Sequence, residues 1–436
     1  MRQSILGRCI AHLAAVAVIG CLLTCVIAEA PSPAGPEAKS KFIRAKAPGW
    51  PQWRGPRRDG ISDETGLLTS WPTGGPKLLW MADGLGKGWS SPIVSGDSLY
   101  LTGDVGDELH VFAITSDGKR KWRATNGKSF EKPYGGARGS CCYDDGRVFN
   151  LNGNGRLACF DAKDGKELWA VDVLKKFEAS RPYFGYAECV MVDGGGVIVT
   201  PGGKKGLIVR LDKKTGQTVW AAKGQSDEGA NYASPILVEL GGKRQLLTGG
   251  SKHTFAVDAD KGKVLWAFRH SITKSMSTSI TVMKDDLLYI TNSCREYCLS
   301  YCLQIDADGR KAKRVWDSKA DVSHGSVVSV GGKIYGASRR KLPGWVCVDF
   351  KSGRTNYVAK DMTRGSNIYA EGRLYCLLQK GTMLLLKPTG KSFEKVGQFE
   401  FVPAAKKKDA WAHPVICNGR LYLRYHDKLY CYDIRK

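Results

Sequence analysis

A ten-residue phrase recurs along this chain: an apolar run, Asp, Gly, then Trp or Tyr. It reads F-D-A-K-D-G-K-E-L-W ending at Trp169, L-D-K-K-T-G-Q-T-V-W ending at Trp220, V-D-A-D-K-G-K-V-L-W ending at Trp266 and V-D-F-K-S-G-R-T-N-Y ending at Tyr357. Looser copies end at Trp122 and Trp316. Asp161, Asp212, Asp258 and Asp349 stand eight residues before the aromatic, and Gly118, Gly165, Gly216, Gly262 and Gly353 stand four before it. Such spacing predicts a tight hairpin. The Asp accepts turn N–H groups, and Gly supplies the left-handed position that a side chain would strain. The aromatic ends an alternating strand and packs on a neighbour.

A second signal precedes each copy, as in S-P-I-V-S-G-D-S-L-Y ending at Tyr100 and H-P-V-I-C-N-G-R-L-Y ending at Tyr422. It reads as two short strands around a Gly turn. Each unit therefore holds four strands. The closing aromatics Trp80, Trp122, Trp169, Trp220, Trp266, Trp316 and Tyr357 are 41 to 51 residues apart, the length of a four-stranded propeller blade. Eight units begin near Ser91, Ser140, Cys189, Ser234, Ile280, Ser326, Ser366 and His413. The last ends at L-Y-C-Y-D-I-R-K without an outer strand, and P-K-L-L-W at 76–80 is a strand without a partner. The expected fold is all-β: an eight-bladed propeller of four-stranded blades, closed where residues 76–82 join the C-terminal blade and cover its open edge. Helical periodicity is nearly absent after the first 28 residues.

Residues 1–28 resemble an export signal. Arg2 and Arg8 precede an apolar run from Ile10 to Ile27, and V-I-A at 26–28 suits cleavage. Lipidation at Cys21, or retention of the run as a membrane anchor, are the alternatives. Residues 29–49 read as a flexible linker, 50–75 as a lead-in segment and 76–436 as the propeller. The expected location is the periplasm or the exterior, with membrane association through the N-terminus as an option. The formal charge of +24 is scattered rather than patched, apart from short runs such as Arg339–Lys341. Scattered positive charge favours acidic surfaces, glycans or anionic ligands, and export argues against nucleic acid. Of 14 Cys, three lie in the first 28 residues, so an odd number remains and at least one thiol is unpaired within a monomer.

The repeat resembles the pyrroloquinoline-quinone (PQQ) β-propeller repeat, shared by quinoprotein alcohol dehydrogenases and the outer-membrane assembly lipoprotein BamB. W-P-Q-W-R-G-P-R-R-D-G-I-S at 50–62, W-P-T-G-G-P-K-L-L-W at 71–80, V-T-P-G-G-K at 199–204 and W-A-H-P-V-I at 411–416 resemble an exported PQQ-binding-like subgroup. For the catalytic relatives the resemblance implies PQQ on the propeller axis with Ca²⁺, oxygen ligands, a carboxylate base and a vicinal disulfide against the ring. Cys141 and Cys142 resemble that disulfide. Alignment offers an alternative: Cys141 occupies the column of Pro92, Pro235 and Pro414.

Aligning the units gives three inner-strand columns. One is Trp89, Arg138, Ala187, Tyr232, Thr278, His324, Arg364 and Trp411; two residues later, on the same face, comes the column from Ser91 to His413. The column between them is small apart from Glu188, the only carboxylate among these positions. A Ca²⁺ site with a catalytic base needs several, and Asp227, Glu228 and Asp321 come only from loops. The candidate ligand site is therefore a channel mouth ringed by Trp89, Arg138, Glu188, Tyr232, His324, Arg364, Trp411 and His413. Aromatics with Arg and His suit an anionic or sugar-like ligand or a peptide; inter-blade packing alone is the other reading. Cys294, Cys298 and Cys302 share a strand face, but their spacing is not that of a zinc pair. No catalytic residue, metal or cofactor is expected. The leading reading is a binding or assembly scaffold of the cell envelope; the alternatives are a PQQ- and Ca²⁺-dependent alcohol dehydrogenase and a BamB-like assembly component.

Overall fold

The computed structural model describes residues 41–224, 228–240, 242–269, 276–293, 300–402 and 410–436. They form eight antiparallel four-stranded blades. Blade one runs from Ile93–Ser95 through Arg120–Lys128, and blade seven from Gly365–Ala370 through Phe393–Glu400. Blade eight is made from both chain ends. Val415–Cys417, Arg420–Tyr425 and Lys428–Asp433 supply its inner strands, and Lys77–Ala82 is the fourth, with Lys77 opposite Asp433 and Ala82 opposite Leu429. The expected closure is therefore present, and it pairs the edge a C-terminal three-stranded sheet would leave open.

The repeated phrase makes both the turn and the joint between blades. Asp161, Asp212, Asp258 and Asp349 each accept a turn N–H on Oδ1. The Gly that follows donates back to the same Asp's carbonyl. Each of these glycines has positive φ and sits flat against the Trp of the preceding blade: Gly165 on Trp122, Gly216 on Trp169, Gly262 on Trp220 and Gly353 on Trp316. A methyl on Gly216 would lie 2.7 Å from the Trp169 ring, so the residue is needed both for its backbone angle and for the close approach. At the closure, Trp80 covers Gly118 in the same way, and its indole donates to Ser116 O at 2.9 Å.

Apolar side chains fill the spaces between blades. Ile93, Val111 and Trp122 of blade one meet Val148, Ala158 and Phe160 of blade two. Phe149, Leu151 and Leu157 of blade two meet Val197, Val199 and Val209 of blade three.

Near the axis the ring is stitched by a polar column. His413 N donates to Ser91 Oγ at 2.8 Å, Ser91 N to Ser140 Oγ at 2.9 Å, Ser140 N to Cys189 Sγ at 3.2 Å and Cys189 N to Ser234 Oγ at 3.0 Å. This explains the recurring Ser at the unit starts. The hydroxyls of Ser91, Ser140 and Ser234 and the thiol of Cys189 each satisfy a backbone donor of the neighbouring blade, and five successive blades are joined across the closure.

Residues 41–71 cross the ring rather than hang from it. Lys41–Phe42 pairs with the inner strand of blade four, and Ile43 N donates to Leu237 O at 3.0 Å. The linker expected through residue 49 is therefore tied down from residue 41. Trp50 exchanges both backbone bonds with Val94 of blade one at 2.9 Å, and Pro51 O accepts from Tyr143 N of blade two. Ile61–Ser62 adds in parallel to the inner strand of blade seven. Glu64 accepts backbone N–H groups from Asn418 and Gly419 of blade eight.

Candidate functional site

Between Trp50 and Gly60 the lead-in segment fills the axis. Arg54 is fully buried; its Nη2 donates to Asp59 O at 2.7 Å and to Val327 O of blade six. Arg58, also buried, donates to Val190 O at 3.2 Å and Cys189 O on blade three, and to Gln52 Oε1 at 3.1 Å. Both arginines have left-handed backbones, φ +62 and +59. Such angles persist in non-glycine residues only where the surroundings impose them, and here the guanidinium anchors on blades three and six do so. Gly60 makes room for one of them, since a Cβ there would fall 2.5 Å from Arg54 Nη2. The two guanidinium carbons lie 5.6 and 6.0 Å from the Trp53 ring centre, and Trp53 meets His413 edge-on at 5.4 Å. Burial pulls Arg54 down to about 10 and lowers Arg58 as well.

The opposite end of the axis carries the first aligned column. Trp89 and Trp411 stand 5.1 Å apart, and Trp411 and His324 4.8 Å apart. Arg138 lies 5.8 Å over Trp89 and donates to Tyr134 O and Phe184 O, so it fastens two loops to the rim. Tyr232 accepts from Phe184 N at 3.1 Å, and Arg364 Nε donates to Gln379 Oε1 at 2.5 Å. These side chains are half-buried. His413 is not at the rim. It is buried one layer down, with Nε2 at 3.0 Å from His324 O. In the neutral ring Nε2 then donates and Nδ1 carries the lone pair. Burial first, and neighbouring arginines second, push His324 and His413 down to about 3, so both are neutral at physiological pH.

Glu188 also departs from the expected rim. Alternation along the strand turns it into the blade, where Thr200 N donates to its oxygens at 3.0 and 3.2 Å. Burial raises it to about 8, against the weaker pull of the Thr200 N–H and Arg58. The folded group therefore holds its proton where the unfolded one has lost it. Stability contributed here is intact below about pH 4.5 and falls as pH rises towards about 8. Glu188→Gln removes that slope. The variant is expected to be more stable than the parent at pH 8, by up to a few kcal/mol, with the gap narrowing to little at pH 5, read by urea unfolding across pH.

Cys141 and Cys142 are free thiols. They project to opposite faces, Cys141 into the core between blades one and two and Cys142 into that between two and three. The vicinal disulfide that the resemblance implied as one of two readings is not formed here: adjacent residues of extended backbone point their side chains apart. Burial pushes the Cys142 thiol up to about 12 and Cys141 higher still, which leaves both protonated and unreactive. Cys302 is buried and free; Cys294 and Cys298 lie outside the described residues.

A family model described as outer membrane protein assembly factor BamB matches residues 110–358, more than half the chain. This protein belongs to the PQQ-like propeller family. A stretch of 138 residues is 30% identical to quinohemoprotein alcohol dehydrogenase ADH IIB of Pseudomonas putida, and 147 residues are 31% identical to the quinoprotein ethanol dehydrogenase of Pseudomonas aeruginosa. Those stretches are 29% and 30% of this chain but only 19% and 22% of the dehydrogenases. By shape, BamB from Moraxella catarrhalis superposes with a TM-score of 0.56 at 15% identity over 79% of this chain and 94% of its own. Quinohemoprotein alcohol dehydrogenase from Comamonas testosteroni gives 0.61 at 13% over 90% and 81%. At such identities the likeness concerns the fold.

Among the described residues of this PQQ-like propeller, the acidic side chains do not come together as a donor set for calcium beside a quinone. Calcium takes six to eight oxygens, mostly carboxylates and carbonyls. Among the described residues no three His, Cys, Asp or Glu side chains come together as metal ligands. Glu188 is committed to Thr200. Glu228 accepts Lys252 N at 2.7 Å and faces His253 Nδ1 at 2.5 Å. Asp321 accepts from Ser338 Oγ and from Arg339 N and Arg340 N at 2.9 to 3.0 Å. Asp227 lies outside the described residues.

Sequence alignment found the rim but not Trp53, Arg54 and Arg58. Their W-R-G-P-R-R-D-G stretch has no strand period. The one signal was the density of Arg beside Gly and Pro, which marks tight non-strand backbone rather than an axial position.

Proposed function

We propose that this protein is an exported, non-catalytic scaffold of the cell envelope that binds its partner or ligand at the aromatic rim of the propeller. The observation that supports the reading is the lead-in segment: Trp53, Arg54 and Arg58 pack against the inner strands of blades three, six and eight and present buried cations there rather than the oxygen ligands that a quinone-bound metal needs. The rim offers Trp89, Trp411, His324 and Tyr232 with Arg138 and Arg364, which suits a ligand carrying both ring faces or apolar groups and negative charge. No helix among the described residues is long and apolar enough to cross a membrane. Envelope location therefore rests on the export signal read at residues 1–28, which lie outside the described residues, and on the family.

The test is reconstitution with PQQ and CaCl₂, followed by alcohol-dependent dye reduction. We expect no turnover above a denatured control. Turnover that disappears in Cys141→Ser would overturn the reading. A BamB-like role in assembly is favoured by the family match over residues 110–358. Cross-linking in envelope preparations should then recover a β-barrel insertase, and its absence in preparations that retain other partners would count against that role.

A further inference from the structure

Arg54 and Arg58 are only 1% and 2% exposed, yet among the described residues neither makes an ion pair with a carboxylate. The acids that act on them are committed elsewhere. Asp59 Oδ2 accepts Arg57 Nε at 2.7 Å, and Asp59 Oδ1 accepts Ile61 N at 2.9 Å. Asp63 accepts Arg57 at 2.5 and 2.8 Å and Arg44 at 2.7 Å. Arg44, Arg57, Asp59 and Asp63 thus balance one another, and the field of Asp59 offsets the burial of Arg54 only in part. Beside Arg58, burial keeps Glu188 protonated at neutral pH, and the Cys142 and Cys189 thiols are pushed up as well.

Their hydrogen bonding is incomplete too. Arg54 uses Nη2 on Asp59 O and Val327 O, and Arg58 uses both terminal nitrogens on Gln52, Cys189 and Val190. Arg54 Nε, Arg54 Nη1 and Arg58 Nε are buried without an acceptor. These groups gather around one ring. The guanidinium carbons lie 5.6 and 6.0 Å from the centre of Trp53, and His413, whose buried Nδ1 is likewise unpaired, lies 5.4 Å from it. A guanidinium keeps its proton inside a protein, so neutralisation does not relieve the burial. A buried charge without a partner is strongly destabilising.

We propose that a small inorganic anion, the size of chloride, binds beside Trp53 and accepts the unused N–H groups of Arg54 and Arg58. The carbonyls of Asp59, Val327, Cys189 and Val190 supply dipoles but no charge. Water fills N–H groups without balancing the cations, and each water that accepts one brings two O–H donors of its own. A halide accepts from several directions, donates nothing and supplies the missing charge. One water, donating to His413 Nδ1 and to the anion, completes the set. The surroundings are tight: a Cβ on Gly60 would fall 2.5 Å from Arg54 Nη2, and one on Gly55 2.9 Å from the Trp50 ring. Such walls favour a single-atom anion over sulfate or a carboxylate. The anion then holds the lead-in segment between blades three and six, whatever the rim binds.

The test has two arms on the full chain. Crystals grown in sodium bromide are measured at the bromine absorption edge, and urea unfolding is followed in sodium chloride and in sodium methanesulfonate at equal ionic strength. The expected result is one anomalous peak within hydrogen-bonding reach of Arg54 and Arg58. The folding constant should also rise about tenfold for each tenfold rise in chloride above its dissociation constant, with no such rise in methanesulfonate. Arg58→Gln should lose the chloride dependence, with circular dichroism checking its fold. Both arms use the parent chain, so they decide even where that variant does not fold. Water density at the site without a bromide peak overturns the proposal. Equal stabilisation by the two salts means screening of surface charge and overturns it. A bromide peak without chloride-linked stability means an adventitious ion only and overturns it as well.

Discussion

Arg424→Ala is expected to lower the unfolding free energy by about 3–5 kcal/mol. Arg424 sits on blade eight, almost fully buried, and reaches across the closure to blade one. Its Nη1 donates to Ser90 O at 3.0 Å, to Ser90 Oγ and to Thr102 O; Nη2 donates to Gly86 O at 3.2 Å, and Nε to His426 O at 2.8 Å. Burial depresses the guanidinium to about 9 although Asp104 lies near enough to raise it. Truncation removes the cost of burying the cation, but it takes this donor from the carbonyls of Ser90, Gly86 and His426, leaves the Ser90–Thr102 pair with only their mutual bonds, and opens a void beside Gly88. Each unsatisfied buried group costs about 1–3 kcal/mol, so the loss outweighs the relief. Arg424→Lys should recover only part, because an ammonium cannot spread five N–H donors over these positions. Urea unfolding measures both. A parental midpoint for Arg424→Ala would mean that the closure does not depend on this residue.

Arg54→Ala with Arg58→Ala should release the axial segment. Together these side chains donate to Val327 O, Asp59 O, Cys189 O, Val190 O and Gln52 Oε1. They also impose the left-handed backbones at 54 and 58. Alanine at those angles is strained and has no anchor, so the folded plug should give way before the ring does. The expected loss is about 2–4 kcal/mol. The more specific readout is tryptic cleavage after Arg57, which should be at least tenfold faster than in the parent while the propeller core stays resistant. Unchanged cleavage would show that the segment is held mainly by its backbone pairings at Trp50 and Ile61–Ser62.

The blade count, the turn chemistry and the closure were legible because each rests on a short-range rule repeated many times. Asp161 and Gly165 specify a turn wherever they occur at that spacing, and Trp80 without a preceding strand must find an edge. The site was less legible because position across the ring is not a local property. Alignment put Trp89, Arg138, Tyr232, His324, Arg364 and Trp411 on one face, and the ring places Trp89, Trp411 and His324 together at one rim. The same alignment could not tell that the Ser91–His413 column is used up in stitching blades, or that Glu188 turns inward to Thr200. Cys141 and Cys142 are adjacent in sequence, yet strand alternation sends them into different cores. The axial plug was least legible. Its bonds run to Val94, Tyr143, Val190, Val327 and Tyr369, partners scattered over much of the chain.

Hydrogen–deuterium exchange of the intact protein, with and without PQQ and Ca²⁺, bears most directly on the plugged axis. The amides of Trp50, Arg58, Gly60, Tyr143 and Tyr369 should exchange as slowly as the inner strands and should not change when the quinone is added. Rapid exchange through residues 50–60, or protection that appears only with PQQ and Ca²⁺, would mean that the axis is open to a cofactor.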